Sequence, residues 1–198
     1  MGSISTIKSN YRKYRWFFTS SGNLVIGGKN AEQNEELLFS ILNEKADFII
    51  MHTTEPGSPF SVIFEKVDKL SGEEYNETAI FTACFSQAWK KPGKKASVDI
   101  FRSGQLHKDK SMKTGTWRVS GKVRRILVPL ELSLIRQKNT LRAVPKLSFK
   151  DKKKILLNII PGKKDKLEFA SEISAKYALN KNHLISALPS GGIGLQNE

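Results

Sequence analysis

Hydrophobic positions along this chain fall into short β-spaced runs, interrupted by stretches whose apolar residues recur at helical spacing. Arg15–Thr19 and Leu24–Ile26 are aromatic- and β-branched-rich runs separated by Gly22–Asn23, a pair that tolerates positive φ, and together they predict a hairpin. Gly27–Gly28 ends it. Asn30 followed by Gln33 forms a capping box, and Leu37, Leu38, Ile41 and Leu42 line one side of a helix from Ala31 to about Asn43. Asp47–His52 and Ser61–Phe64 are the next strands, joined by a Pro/Gly-rich loop over Thr53–Pro59. A second capping box, Ser71 with Glu74, opens a helix over Glu73–Trp89 whose Ala79, Ala83, Ser86 and Ala88 allow close contact with a sheet. Lys90, Lys91, Pro92 and Gly93 stop it, with positive charge where the helix dipole is negative.

Beyond that helix the β-spacing returns in Ser97–Arg102 and Thr116–Ser120. Ile126–Ile135 is broken by Pro129, which marks an edge or a bend, and Leu141–Val144 and Ile155–Ile160 follow. Lys150–Lys154 reads as a charged loop. Pro161–Gly162 separates these strands from helices around Leu167–Ala178 and His183–Ala187, and Pro189–Glu198 is expected to be loose. The order predicts an α+β fold, a mixed and largely antiparallel sheet with helices packed on it plus small C-terminal helices. Three segments are expected: a polar N-terminal arm over 1–13 with basic Lys8, Arg12 and Lys13, frayed at its start, a main domain over 14–160 and a C-terminal helical extension over 161–198.

Charge changes this picture most. The chain has 198 residues, 39% of them hydrophobic, and a formal net charge of +14. Lys90–Arg125 alone holds twelve Lys or Arg residues against only Asp99 and Asp109. A solvated, solubilising face is the plain explanation of such a run. Here, however, Val98, Ile100, Phe101, Trp117, Val119, Ile126 and Val128 alternate as in half-buried strands, so the cations are displayed on a folded surface. Pro92, Gly93, Gly104, Gly115 and Gly121 break any cationic membrane helix. Phe101 and Trp117 beside Arg102 and Arg118 fit a polyanion whose bases can stack, which makes nucleic acid the expected partner rather than a membrane. No run of about 18 apolar residues exists for a membrane span and the N-terminus lacks the apolar core of a signal peptide, so a soluble, cytoplasmic protein is expected.

The residues that carry specific chemistry are few. Cys84 is the single cysteine and His52, His107 and His183 are far apart, so neither a disulfide nor a zinc site is expected, and no cofactor. Cys84, Trp16 and Trp89 read as packing residues. Gly27–Gly28 ahead of a capped helix has free amides for a phosphate, although a turn that merely starts a helix explains it too. His52 with Glu55 is a possible acid/base pair, set against a histidine that simply ends a strand. Gln105, His107 and Lys108 have donors suited to phosphate or 2′-hydroxyl contacts. If Arg118, Lys122 and Arg124 lie on one strand pair, their even spacing puts them on one face.

Trp16-Phe17 with Gly22, then Leu24-Val25-Ile26-Gly27-Gly28-Lys29-Asn30-Ala31-Glu32-Gln33-Asn34-Glu35, resembles the opening of the NFACT-R domain, the RNA-binding part of NFACT proteins of ribosome-associated quality control. Further matches follow in order: His52 to Gly57-Ser58-Pro59, Cys84 to Ala88-Trp89, Gln105 to Lys108, and Gly115-Thr116-Trp117 to Gly121-Lys122. The resemblance runs from roughly Tyr14 to Val128. Thr53, Thr54, Val123 and Arg124 depart from the usual family residues. At this length the chain leaves no room for the glycosylase-like domain, helix-hairpin-helix and coiled coil of full-length members, and a stand-alone version is expected.

Charge and resemblance together imply a non-enzymatic binder of structured RNA, tRNA or rRNA, in a translation quality-control setting, with the large ribosomal subunit as a possible partner. The residues expected at the RNA are Lys29, Asn30, His52, Gly57, Ser58, Arg102, Gln105, His107, Lys108, Trp117, Arg118, Lys122, Arg124 and Arg125. Two other classes fit the sequence: an enzyme or subunit in RNA modification using His52, Glu55 or His107, and an adaptor whose basic face meets an acidic protein.

Overall fold

A computed structural model describes residues 3–42, 44–149 and 151–196. The chain opens with α1 (Ile4–Ser9), β1 (Arg15–Phe18) and β2 (Leu24–Gly27), then α2 (Ala31–Leu42), β3 (Ile49–Thr53) and β4 (Ser61–Ile63). Next come α3 (Gly72–Cys84), β5 (Lys95–Arg102), the short β6 (Leu106–His107) and β7 (Arg118–Val119), and β8 (Arg124–Pro129). The remainder is β9 (Leu132–Gln137), β10 (Thr140–Val144), β11 (Leu157–Lys164), α4 (Lys166–Tyr177), α5 (Lys181–Ala187) and β12 (Ile193–Leu195). The fold is α+β, and every strand pairing is antiparallel. A six-stranded sheet runs β1-β2-β4-β3-β5-β8, a four-stranded sheet runs β10-β9-β11-β12, and β6 and β7 form a separate ribbon.

The period-2 alternation of the central strands buries both faces of the six-stranded sheet. Ile26, Ile50, Val62 and Phe101 pack under α2, against Leu37, Leu38 and Ile41, while Phe17, Val25, Met51, Ile63, Val98 and Val128 face α3 and the second sheet. Side chains, not a strand, cover the outer edge of β1. Gln137 accepts the Phe18 N–H and donates to the Phe18 carbonyl, and Arg142 donates through Nε to the Trp16 carbonyl at 3.1 Å.

Several local expectations give way to tertiary contacts. Within the arm over 1–13, Ser3 caps α1, Ile7 is buried, and Tyr11 meets Trp16 edge-on at 4.9 Å. The second helix stops at Cys84, five residues early. Ser86 Oγ bonds back to the Ala83 carbonyl and starts a 3-10 turn over Gln87–Lys90. Pro129 does mark a bend, after which the expected single run becomes β8 and β9 in different sheets. Pro161–Gly162 is not a separator but an irregularity inside β11, which runs across position 160. Nor is 189–196 loose, because β12 pairs with β11 and Trp89 Nε1 donates to the Gly192 carbonyl at 3.0 Å. Lys152–Lys154 form a 3-10 turn capped by Asp151, with Lys150 outside the described residues.

Candidate nucleic-acid interface

A cleft of about 670 Å³ opens where the start of α2, the β3–β4 loop, the turn after α3 and the 108–117 loop converge. The sequence builds each wall by a local rule. Asn30 accepts the Gln33 N–H at 2.9 Å, and Gln33 reaches back to the Lys29 N–H at 3.0 Å, so the side-chain exchange expected at this helix start is present with Lys29 as the returning partner. Gly28 lies against the first turns of α2, where a Cβ would meet Asn34 Oδ1 at 2.2 Å and the Asn34 amide nitrogen at 2.7 Å. That closeness lets Asn34 Oδ1 accept the buried Phe60 N–H, which ties the helix to the start of β4.

The opposite rim is tied down by one ion pair. Lys108 Nζ donates to Glu35 at 2.9 Å and to the carbonyls of Lys113 and Thr116 at 2.8 and 3.1 Å, and Glu35 also accepts the Gly115 N–H. Gly115 takes a φ of +78°, and a Cβ there would lie 2.8 Å from the Ala31 side chain. Burial pushes the Glu35 carboxyl up, but the bonds from Gly115 and Lys108 outweigh it and hold it below its ordinary range. Trp117 ends this loop half-buried, edge-on to Phe39 at 5.1 Å, with its Nε1 buried and unpartnered.

Six of the residues expected at the RNA meet in this cleft: Lys29, Asn30, His52, Gly57, Ser58 and Trp117. Their chemistry is partly spoken for. His52 packs on Phe60 at 4.4 Å, its Nδ1 lies 2.7 Å from the Thr53 carbonyl, and burial lowers its pKa despite that carbonyl and Asp99. With Nδ1 donating, the neutral ring leaves Nε2 as an acceptor. Ser58 Oγ accepts the Thr53 N–H. Glu55 pairs with Lys91 and not with His52, so the acid/base pair read from their spacing does not form.

The other eight lie outside it, and most are engaged within the protein. Arg102 pairs with Asp47, Lys108 with Glu35 and Arg125 with Asp99, the last through two nitrogens. Gln105 spans the β6–β7 ribbon, donating to the carbonyls of Ser120 and Lys122 and accepting the Arg102 N–H, and His107 bonds Ser120. Arg124 stacks over Tyr75. Arg118 and Lys122 are exposed and form no ion pair among the described residues. Arg118 lies in β7 and Arg124 in β8, in different sheets, so the shared face expected for Arg118, Lys122 and Arg124 does not exist. The break at Gly121, whose φ is +76°, turns the chain from the ribbon to the sheet edge.

Sequence reasoning passed over Arg15, and it named Lys90, Asn34 and Glu35 only as members of longer segments, not as site residues. Arg15 and Lys90 line the cleft, and Arg15 sits 4.7 Å over the Phe85 ring. Asn34 and Glu35 close the glycine-rich segment described above, which was the available signal.

A domain built from this glycine-started helix, the 57–59 loop and the 105–121 ribbon is one of a known class. The family model for the NFACT protein RNA binding domain matches residues 13–121, and the chain belongs to that family. The archaeal Rqc2 homologue aRqcH of Methanocaldococcus jannaschii is 35% identical over 80 residues, which is 40% of this chain and 12% of that protein. The C-terminal part of the fibronectin/fibrinogen-binding protein of Streptococcus suis superposes with a TM-score of 0.51 at 25% identity, covering 58% of this chain and 44% of that one. The chain thus spans a small part of the curated relative it matches.

Proposed function

We propose that this protein is a non-enzymatic, cytoplasmic binder of structured RNA, tRNA or rRNA, in a ribosome quality-control setting, and that the RNA lies across the cleft and the adjoining β6–β7 ribbon. The observation that carries this reading is where the free charge sits. Four cations of the basic run, Lys91, Arg102, Lys108 and Arg125, are held in internal pairs, whereas Arg15, Lys29 and Lys90 around the cleft and Arg118 and Lys122 beyond it are among those that form no ion pair within the described residues. Cations left without partners beside Trp117 suit phosphates with unstacked bases between them. Membership of an RNA-binding family and the likeness to an archaeal Rqc2 homologue support the ribosomal setting, with the large subunit as the partner to test.

The test is fluorescence anisotropy with labelled tRNA, an rRNA helix-loop and a plain duplex at several salt concentrations, beside sedimentation with large subunits. Tighter binding of tRNA or the helix-loop than of the duplex supports the reading. Equal binding of all three reduces it to general polyanion attraction, and an absence of binding ends it.

A further inference from the structure

Four cations gather where the cleft meets the second sheet: Arg15 and Lys29 from the family-matched region, Arg142 and Lys166 from the segment beyond residue 121. The hydrogen-bond frame brings them together. Arg15 pairs with Gly27 across β1 and β2, two residues before Lys29. Arg142, 6% exposed, donates to the carbonyl of Trp16 next to Arg15 and lies over the Trp16 ring at 4.7 Å. Lys166 donates to the Leu188 carbonyl at 2.9 Å, and Ser190, two residues on, lines the cleft. None of the four takes part in the ion pairs of the described residues.

Carbonyls and ring faces satisfy some of their donors but cancel none of their charge. Arg142 is buried with no carboxylate beside it, Arg15 and Lys166 are half-buried and Lys29 is exposed. Holding a cation out of water without a counter-charge is unfavourable, and such a cost is tolerated where a ligand supplies the opposite charge. We propose that Arg15, Lys29, Arg142 and Lys166 form a subsite for one phosphate group of the bound RNA, with Arg15 and Lys29 presented by the cleft wall, Arg142 adding charge from the second sheet and Lys166 from the start of α4. This rests on the RNA-binding reading and says where in the cleft a phosphate sits. Guanidinium forks match phosphate oxygens, and an acidic protein side chain would leave the aromatic wall of the cleft unused. Burial, then Arg15, takes Lys166 down to about 8; burial, then Arg15, takes Arg142 down to about 10; burial, then Arg142 and Arg15, lowers Lys29.

The subsite also gives the C-terminal segment a part in binding that lies outside the family-matched residues 13–121. The experiment uses the full chain, with Lys166→Gln, Lys166→Arg and Arg15→Gln against a control in which Lys152 and Lys153 become Gln. Thermal melts compare inorganic phosphate with chloride at matched ionic strength, and anisotropy measures tRNA binding with phosphate or chloride as competitor. Phosphate is expected to raise the wild-type melting temperature beyond chloride. Lys166→Gln keeps a donor for Leu188, and in chloride it should melt no lower than wild type, since a like charge is gone. It should lose the phosphate response and weaken tRNA binding about five- to tenfold, the scale of one charged contact. Lys166→Arg should restore both.

A wild-type response to phosphate no larger than to chloride, with tRNA affinity unchanged in the Gln variants, overturns the subsite and leaves the RNA reading standing. A phosphate response that disappears in the variants while tRNA affinity holds overturns the assignment to RNA and points to free phosphate. A wild type that binds no RNA at all overturns both readings.

Discussion

Lys108 stands in the basic run as an apparent RNA ligand, but the structure gives its charge to Glu35, and this difference has a measurable size. Lys108→Ala removes three hydrogen bonds made by one ammonium whose side chain is 12% exposed, against 20% for Glu35. The carbonyls of Lys113 and Thr116 belong to exposed residues and can turn to water, so their loss is small. The Glu35 carboxylate keeps the Gly115 N–H but loses its counter-ion, and a charged hydrogen bond of this kind contributes about 1.5–3 kcal/mol. The expected cost is about 2–3 kcal/mol, which for a chain of this size lowers the melting temperature by roughly 4–12 °C. Glu35→Gln, which keeps the shape and an acceptor for Gly115, should cost less, and the double variant should cost clearly less than the two singles added. The sign with pH follows from Glu35, whose folded-state pKa lies below its ordinary value of 4.5. Its contribution is full above that value and disappears as pH falls through the lower folded one. Melts from pH 7 down to 3 should therefore show wild type and Lys108→Ala converging in acid. Anisotropy at matched folded fraction completes the test. A normal melt with tenfold weaker RNA binding would place Lys108 at the ligand and refute the clamp.

Gly28→Ala should cost about 3 kcal/mol or more, because the new methyl displaces Asn34 and leaves the buried Phe60 N–H without its acceptor; a thermal melt reads this with no RNA present. Replacing Arg118 and Lys122 by Ala should shift stability by under about 0.5 kcal/mol each while weakening tRNA binding, whereas the same change at Lys152 and Lys153 should do neither. The slope of log affinity against log salt should be steep, on the order of −0.7 to −0.9 per phosphate neutralised, and less steep in the Arg118/Lys122 variant. Lys166, with a folded pKa of about 8 against an ordinary 10.5, is penalised in the folded state below pH 8, and this penalty fades as pH rises to 10.5. The stability difference between wild type and Lys166→Gln should change over that window in denaturant titrations.

The elements governed by local chemistry were legible in the chain. The Gly22–Asn23 hairpin, the Asn30 and Ser71 helix starts and the alternation in β3, β4 and β5 depend on neighbours in sequence, and the structure has them. The misses depend on partners far away. A polar arm read without an element of its own forms α1 because Ile7 finds the core beside the sheet, and a loose tail becomes β12 because β11 presents an open edge. The same holds at the cleft. A run of lysines and arginines shows how much charge there is, but not which of it is already answered by Asp47, Asp99 or Glu35 some 26 to 73 positions away. Arg15, isolated in a strand, carried no signal until Lys29, Arg142 and Lys166 were placed beside it.

The way the second sheet closes has a consequence for how the chain is made. All six strands of the large sheet are present once residue 129 has been synthesised, yet the face of that sheet carrying Phe17, Val25, Met51 and Val98 is completed by side chains as late as Leu184 and Ile193. During elongation that apolar face waits with a vacant partner, and β11 waits with an unpaired edge until β12 emerges. A nascent chain stalled between residues 130 and 190 would therefore be open to edge-to-edge association with its neighbours.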